Sequence, residues 1–266
     1  MLSGGAGSWG AARRTVERHG HKGLTLLFAD TLIEDDDLYR FVLEAASNLT
    51  GRRVPPGLLA RTVAIPSLEE GRRRRRHLLA LAAEASEWCP TLEWIAEGRD
   101  PHHVFEDKRY LGNTSVDPCS AVLKRTVMRR WLEEHRDPAT TVAVIGYDWS
   151  EIHRLERAQA HWAPWRVEAP LCEAPYLSKE EVLDWMGAEG LSAPREVRER
   201  ELRRRLGKDV SILRDRRGGV MRSLTLHRFR RERTEWGASS CMEPAPAQSR
   251  TRRRSKRLRN EEDRDA

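Results

Sequence analysis

Near the amino end, Leu2-Ser-Gly-Gly-Ala-Gly-Ser8 sets three glycines and two serines ahead of Trp9-Gly-Ala-Ala-Arg-Arg-Thr-Val-Glu-Arg-His19, which has helical spacing. Glycine lets a chain turn tightly and leaves no Cβ between the backbone and a ligand. Free N–H groups at a helix start attract anions, phosphate above all. Taken alone the stretch also fits a flexible Gly/Ser leader, so the segments after His19 decide between the two readings.

Positioning such a loop is a task for strands and helices. Leu24-Thr-Leu-Leu-Phe-Ala29 is apolar on both faces and ends at Asp30-Thr31, the pattern of a buried parallel strand. Glu34 to Ala46 is amphipathic, with acids in its first turn as the helix dipole favours. Loop, helix, strand and helix in so short a space point to an α/β fold: a wound, mostly parallel sheet with flanking helices. In such a fold a strand should feed the loop, but only Met1 and Leu2 precede Ser3, and a strand takes about five residues. Either the chain starts late or the sheet lacks a strand beside its loop; a start placed too far downstream is the expectation.

Further along, residues 48–90 read as an insertion. Pro55-Pro-Gly57 is expected to break any helix, and Glu69 to Trp88 returns to helical spacing. The arginines 72–76 suit a solvated helix face, with a nucleic-acid patch as the alternative. Thr91 to Ala96 reads as a strand, and a helix is expected around Val104. A loop with Cys119 leads to Lys124-Arg125 near the start of a helix running through Leu132. Thr140 to Gly146 is the clearest strand, and Glu151, His153, Arg154 and Arg157 follow it. Ligands of open α/β sheets sit at the carboxyl ends of strands, which gathers Asp30, Thr31, Glu151 and Arg154 near the first loop if the strands are neighbours. Ser178 should cap a helix over Lys179–Gly187. The organisation expected is an α/β domain over 1–194, a charged helix and β-hairpin over 195–236, and a disordered basic tail over 237–266.

The chain carries a net charge of +7, of which the segment from Arg250 to Ala266 contributes +4 through eight basic and four acidic residues. That balance suits nucleic acid or a polyanionic nucleotide as partner. No run approaches a membrane span. The four cysteines, at 89, 119, 172 and 241, do not form a disulfide framework, so a cytoplasmic protein with reduced thiols is expected. His102, His103 and His153 have no partner at ligand spacing and read as surface histidines.

Ser3-Gly-Gly-x-x-Ser8 resembles the PP-loop of the adenine-nucleotide α-hydrolase superfamily. Phe28-Ala-Asp-Thr31 with Glu34 is similar to that superfamily's Asp-Thr-x-x-Glu stretch. Cys119 with Lys124-Arg125 resembles the Cys-plus-Lys segment of phosphoadenosine phosphosulfate reductases, and Gly146 with Glu151 and Arg154 resembles their third block. The wording Phe-Ala-Asp-Thr-Leu-Ile-Glu, Leu-Gly-Asn and Val-Asp-Pro-Cys-Ser resembles a bacterial and phage branch of reductase-like proteins. The likeness spans about residues 1–180, and Ser211 to Gly219 with Leu224 to Leu226 resembles that branch's C-terminal hairpin. Departures are plain: Gly7 stands where the loop has Asp, and Asp148 where the third block has Arg. Two Cys-rich segments of that branch are missing, as if by an internal deletion and an altered C-terminus.

The resemblance implies that Ser3, Gly4, Gly5, Gly7 and Ser8 hold phosphates, and that Asp30 touches ribose or Mg²⁺. Thr31 and Glu151 would complete the nucleotide site, while Lys124, Arg125, Arg154 and Arg157 would neutralise charge, Lys124 and Arg154 as the catalytic pair. ATP or an adenylyl sulfate is the ligand implied. The reaction implied is attack by a substrate oxygen on the α-phosphorus of ATP, with pyrophosphate leaving; the second substrate stays open. Reductase chemistry at sulfur is an alternative, with a thiolate, Cys241 being the tail's cysteine, or with an iron–sulfur cluster that would use Cys119 and Cys172. A non-catalytic domain that binds nucleotide or, through its basic tail, nucleic acid is the other alternative.

Overall fold

A computed structural model of the chain describes residues 1–109, 118–195 and 197–199. The loop expected over 110–117, most of the charged helix, the hairpin and the basic tail lie outside the described residues. Among the described residues, no helix is long and apolar enough to cross a membrane.

The first helix, α1 (Ala6–His19), follows the glycine loop directly, and the left-handed Gly20 ends it. Strand β1 (Leu26–Asp30) is buried along its whole length. Helix α2 (Asp36–Thr50) begins where the Asp35 carboxylate accepts the N–H of Asp37, and it stops at Gly51 in the left-handed conformation. Pro55-Pro-Gly57 starts a helix instead of breaking one: α3 (Pro56–Val63) has proline in its first turn, where the missing N–H is no loss. Helix α4 (Gly71–Trp88) turns Leu78, Leu81, Ala82 and Ala85 into the core, so segment 48–90 is built into the core beside β1. It leads to β2 (Leu92–Ala96), which pairs parallel with β1 from Leu26 opposite Leu92 to Asp30 opposite Ala96.

Helix α5 (Pro101–Lys108) precedes the undescribed loop. A π-helical stretch, Ser120–Thr126, then runs into α6 (Val127–His135). Strand β3 (Val142–Val144) is shorter than its sequence suggests, and a 3₁₀ turn over Trp149–Arg154 joins it to α7 (Leu155–Trp162). Strand β4 (Arg166–Glu168), in a stretch with no strand signal, pairs parallel with β3, Val142 opposite Arg166. Helix α8 (Lys179–Ala188) has the expected Ser178 cap, closed reciprocally by Glu181.

The fold is therefore mixed α/β, with two separate two-stranded parallel sheets. Met1 and Leu2 lie between them. The Leu2 N–H donates to the Leu27 carbonyl of β1 and the Met1 ammonium to the Val144 carbonyl of β3, each at 2.8 Å. Helices cover both faces of β1, which is why it reads as continuously apolar. Leu26 and Phe28 enter the core with α1, α2, α4 and α8, while Leu27 and Ala29 enter the other with α6 and α7.

Candidate functional site

The glycine loop is held in one shape by its own residues. Gly4 sits at φ +76°, and a Cβ there would fall 2.6 Å from Cγ of Leu38, so both backbone and space require glycine. The Ser8 hydroxyl accepts the Ser3 N–H at 3.0 Å and donates to the Gly5 carbonyl at 2.8 Å. Buried Ser8 therefore braces the loop, and its hydroxyl is not turned outward as a phosphate donor in the way the resemblance implies. Gly5 is the N-cap of α1, and a Cβ on it would meet only Ser3 Oγ, at 3.8 Å. The loop is thus open above Gly5, where the first N–H groups of α1 have no intrahelical acceptor.

Direct backbone contact joins the loop to the tip of β3. A Cβ on Gly7 would lie 2.7 Å from the Gly146 carbonyl oxygen, and one on Gly146 would lie 2.5 Å from both Cα and N of Ser8. Two glycines 139 positions apart in a 266-residue chain thus let α1 and β3 touch without side chains between them. Just past that contact, the Asp148 carboxylate caps the following turn by accepting the Ser150 N–H at 2.9 Å. The Arg154 guanidinium stacks on the Tyr147 ring, 4.6 Å from its centroid, and pairs with Glu151. Beneath them the Cys172 thiol donates to the carbonyls of Tyr147 and Asp148 at 3.4 and 3.2 Å, pinning the turn from below.

At the tip of β1 the expectation for Asp30 needs correcting. Its carboxylate is 1% exposed and accepts three hydrogen bonds: from the Leu32 N–H (2.7 Å), the Tyr39 hydroxyl (2.9 Å) and the Trp94 indole N–H (3.1 Å). Burial pushes its pKa up to about 6, against the pull of those three donors. Asp30 is an internal knot between β1, α2 and β2, turned away from any ribose or Mg²⁺. Beside it, Thr31 is buried while Glu34 and Lys124 are partly exposed. Thr31 donates to Glu34 at 3.0 Å, and Lys124 reaches Glu34 at 2.7 Å from the π-helical stretch. Lys124 is thus brought to the carboxyl end of β1.

Arg125 and Arg157 go elsewhere. Both are exposed, and their charges, with that of Arg129, add to burial in holding His161 below its usual pKa. His161 lies in the last turn of α7, a helix that begins only after the tip turn. The two arginines therefore join a basic cluster on the π-helical stretch, α6 and α7 instead of the glycine loop.

The two cysteines that the resemblance assigns to an iron–sulfur cluster have separate surroundings. Burial, then the charges of Asp148, Glu151 and Glu173, push the Cys172 thiol up. Cys119 is half-buried at the start of the π-helical stretch. Among the described residues, no three His, Cys, Asp or Glu side chains gather closely enough to hold a metal ion. His103 has a local task, its ring bonded to the Asp100 cap at 2.8 Å.

Two buried arginines shape the site beyond the residues that the sequence points to. Arg74 is 4% exposed. It donates to the carbonyls of Leu32, Glu34 and Pro66 and to the Asp36 carboxylate, all within 3.2 Å. It clamps the Leu32–Asp36 turn that presents Glu34, and so breaks the arginine run as a uniform phosphate patch. Helical phase could have found it, because positions 74, 78, 81 and 85 share one face of α4. Arg14 of α1 bonds the carbonyls of Pro170, Glu173 and Pro175, tying the glycine-loop helix to the Cys172 segment. No protein-family model, no curated protein and no solved structure matches this chain.

Proposed function

We propose that the Ser3–Ser8 loop binds the phosphate end of an adenine nucleotide, and that the protein activates a substrate by attack on the α-phosphorus of ATP. On this reading the two strand pairs are halves of one wound, Rossmann-like sheet of the PP-loop kind. The observation that carries it is the backbone contact of Gly7 with Gly146, which sets the open start of α1 between the tips of β1 and β3. Phosphate oxygens meet the N–H groups of Gly5, Ala6 and Gly7 and the positive end of the helix dipole there.

The chemistry asks the protein for placement and charge more than for covalent help. A substrate oxygen forms a bond to the α-phosphorus, the bridging bond to the β-phosphate breaks, and pyrophosphate departs with the electron pair. Lys124 serves by exchanging Glu34 for a phosphate oxygen, and Arg154 by offering its guanidinium from the Tyr147 ring. Mg²⁺ takes most of its ligands from phosphate and water, and Glu34 is the carboxylate on offer at the β1 tip once Asp30 is turned inward. When bound, the ion screens charge on the triphosphate. The reductase alternative rests on Cys241, which lies outside the described residues.

Incubation with Mg-ATP, using water as the default acceptor, separates these readings. AMP and pyrophosphate as products, both lost in a folded Gly5→Val protein, support activation at the α-phosphorus. ATP binding without pyrophosphate leaves a nucleotide-binding domain only. No ATP binding, with DNA binding that collapses as salt rises, transfers the protein to the nucleic-acid class.

A further inference from the structure

Past the carboxyl ends of β1 and β2, between the first turns of α4 and α5, opens a recess of about 750 Å³. Parallel sheets hold their ligands at that end of the strands. The residues of the glycine loop are not among its walls. Its chemistry follows from which arginines of α4 remain uncommitted. Arg74 is turned into the core, Arg73 pairs with Glu70 at 2.8 Å, and Arg76 does not line the recess. Arg72 and Arg75 do line it; both are exposed, and neither pairs with a carboxylate among the described residues.

Three positions apart on a helix, these two arginines stand side by side, about 5–6 Å between their Cβ atoms. Gly98 makes room for one of them. It sits at φ +103°, and a Cβ there would lie 3.2 Å from Nη2 of Arg75. The Arg75 guanidinium thus rests against bare backbone just past β2, which holds it at that end of the recess. The acids in the walls are already engaged. Asp100 is bonded to the His103 N–H at 3.1 Å and to its ring at 2.8 Å, Glu70 holds Arg73, and Glu69 has interactions of its own. Half-buried Ile33 and half-exposed Leu68 add an apolar ledge. A nucleic-acid patch across arginines 72–76 would need an even, outward basic face. The structure instead leaves two guanidiniums beside an apolar ledge, in a concave space of small-molecule size.

We infer that this recess binds a phosphate monoester, its phosphate between the guanidiniums of Arg72 and Arg75 and its organic group against Ile33 and Leu68. A monoester dianion offers three free oxygens, enough to accept from both planar guanidiniums at once. A diester has fewer free oxygens and a single charge, so it fits the pair less well. The inference stands whether or not the glycine loop takes a nucleotide.

Calorimetric titration of phenyl phosphate into the full-length chain tests the site, at a mildly alkaline pH where the probe is a dianion. Saturable binding is expected, weakened about tenfold by Arg72→Gln, about tenfold again when Arg75→Gln is added, and unchanged by Arg76→Gln. All three positions are exposed, so the variants should keep the wild-type thermal midpoint within about 2 °C. Inorganic phosphate, with nothing to lay on the ledge, should bind more weakly than phenyl phosphate. No binding by the wild type, or equal binding by the double variant, overturns the inference. Diphenyl phosphate bound as tightly as phenyl phosphate also overturns it and returns the arginines to a nucleic-acid backbone. Equal losses from Arg76→Gln and Arg75→Gln overturn it as well, because diffuse charge then does the binding. Loss in a folded Gly5→Val protein does the same by placing the anion at the glycine loop.

Discussion

Alanine at Gly7 sets two known quantities against each other. Within a helix, glycine to alanine stabilises by about 1 kcal/mol when the new methyl has room. Here the methyl would sit 2.7 Å from the Gly146 carbonyl oxygen, and that oxygen belongs to backbone that no rotamer change can move aside. Forcing such overlap in a packed region costs about 1–3 kcal/mol, so Gly7→Ala should be destabilising by about 1–2 kcal/mol. Gly146→Ala meets three backbone atoms at 2.5 to 2.6 Å and should cost about 3 kcal/mol or more. Gly5→Ala, with Ser3 Oγ as its nearest neighbour at 3.8 Å, should change stability by less than about 1 kcal/mol. Urea unfolding of the three variants, with unchanged slope against denaturant, reads these differences directly. A Gly7→Ala protein as stable as the wild type, or more so, would mean that α1 does not meet the β3 tip. The site would then lose its foundation.

Arg74→Leu should cost about 3–5 kcal/mol by leaving the Leu32, Glu34 and Pro66 carbonyls and the Asp36 carboxylate without their donor. Arg73→Leu, at an exposed position beside Glu70, should stay within about 0.5 kcal/mol in the same unfolding measurement; similar costs for both would refute the clamp. Asp30 carries a pH signature: its carboxyl is raised from 3.8 to about 6, so its protonated form binds the folded state better. That contribution is complete below pH 4 and is lost as pH rises through 6, at most about 3 kcal/mol. Unfolding free energies of wild type and Asp30→Asn should diverge across that window, and a constant difference would contradict the burial of the carboxylate.

Much of the positioning framework is legible in the residues. The glycine loop, β1, β2 and the α8 cap announce themselves through local chemistry: absent Cβ atoms, apolar runs, a serine before an acidic first turn. Strand β4 is not legible, since three residues of Arg-Val-Glu carry no periodicity and owe their pairing to β3. Asp30 misleads because its position at a strand end is visible in sequence while its donors are not. Tyr39 and Trp94 lie 9 and 64 residues away, and only the folded chain brings them to the carboxylate. Arg125 and Arg157 are tied to the loop by the resemblance alone; which way they face depends on how the π-helical stretch and α7 are rotated, and strand order does not fix that. Gly146 is recognisable as a strand end, but its reason for being glycine, the backbone of Gly7 and Ser8, is a long-range fact.

Calorimetric titration of Mg-ATP into the folded wild-type protein and into Gly5→Val tests the central claim most directly. The expected result is saturable ATP binding by the wild type and none by the variant, with matching far-ultraviolet circular dichroism for the two. A folded wild-type protein that takes up neither ATP nor an adenylyl sulfate, or a Gly5→Val protein that binds ATP as well as the wild type, would contradict it.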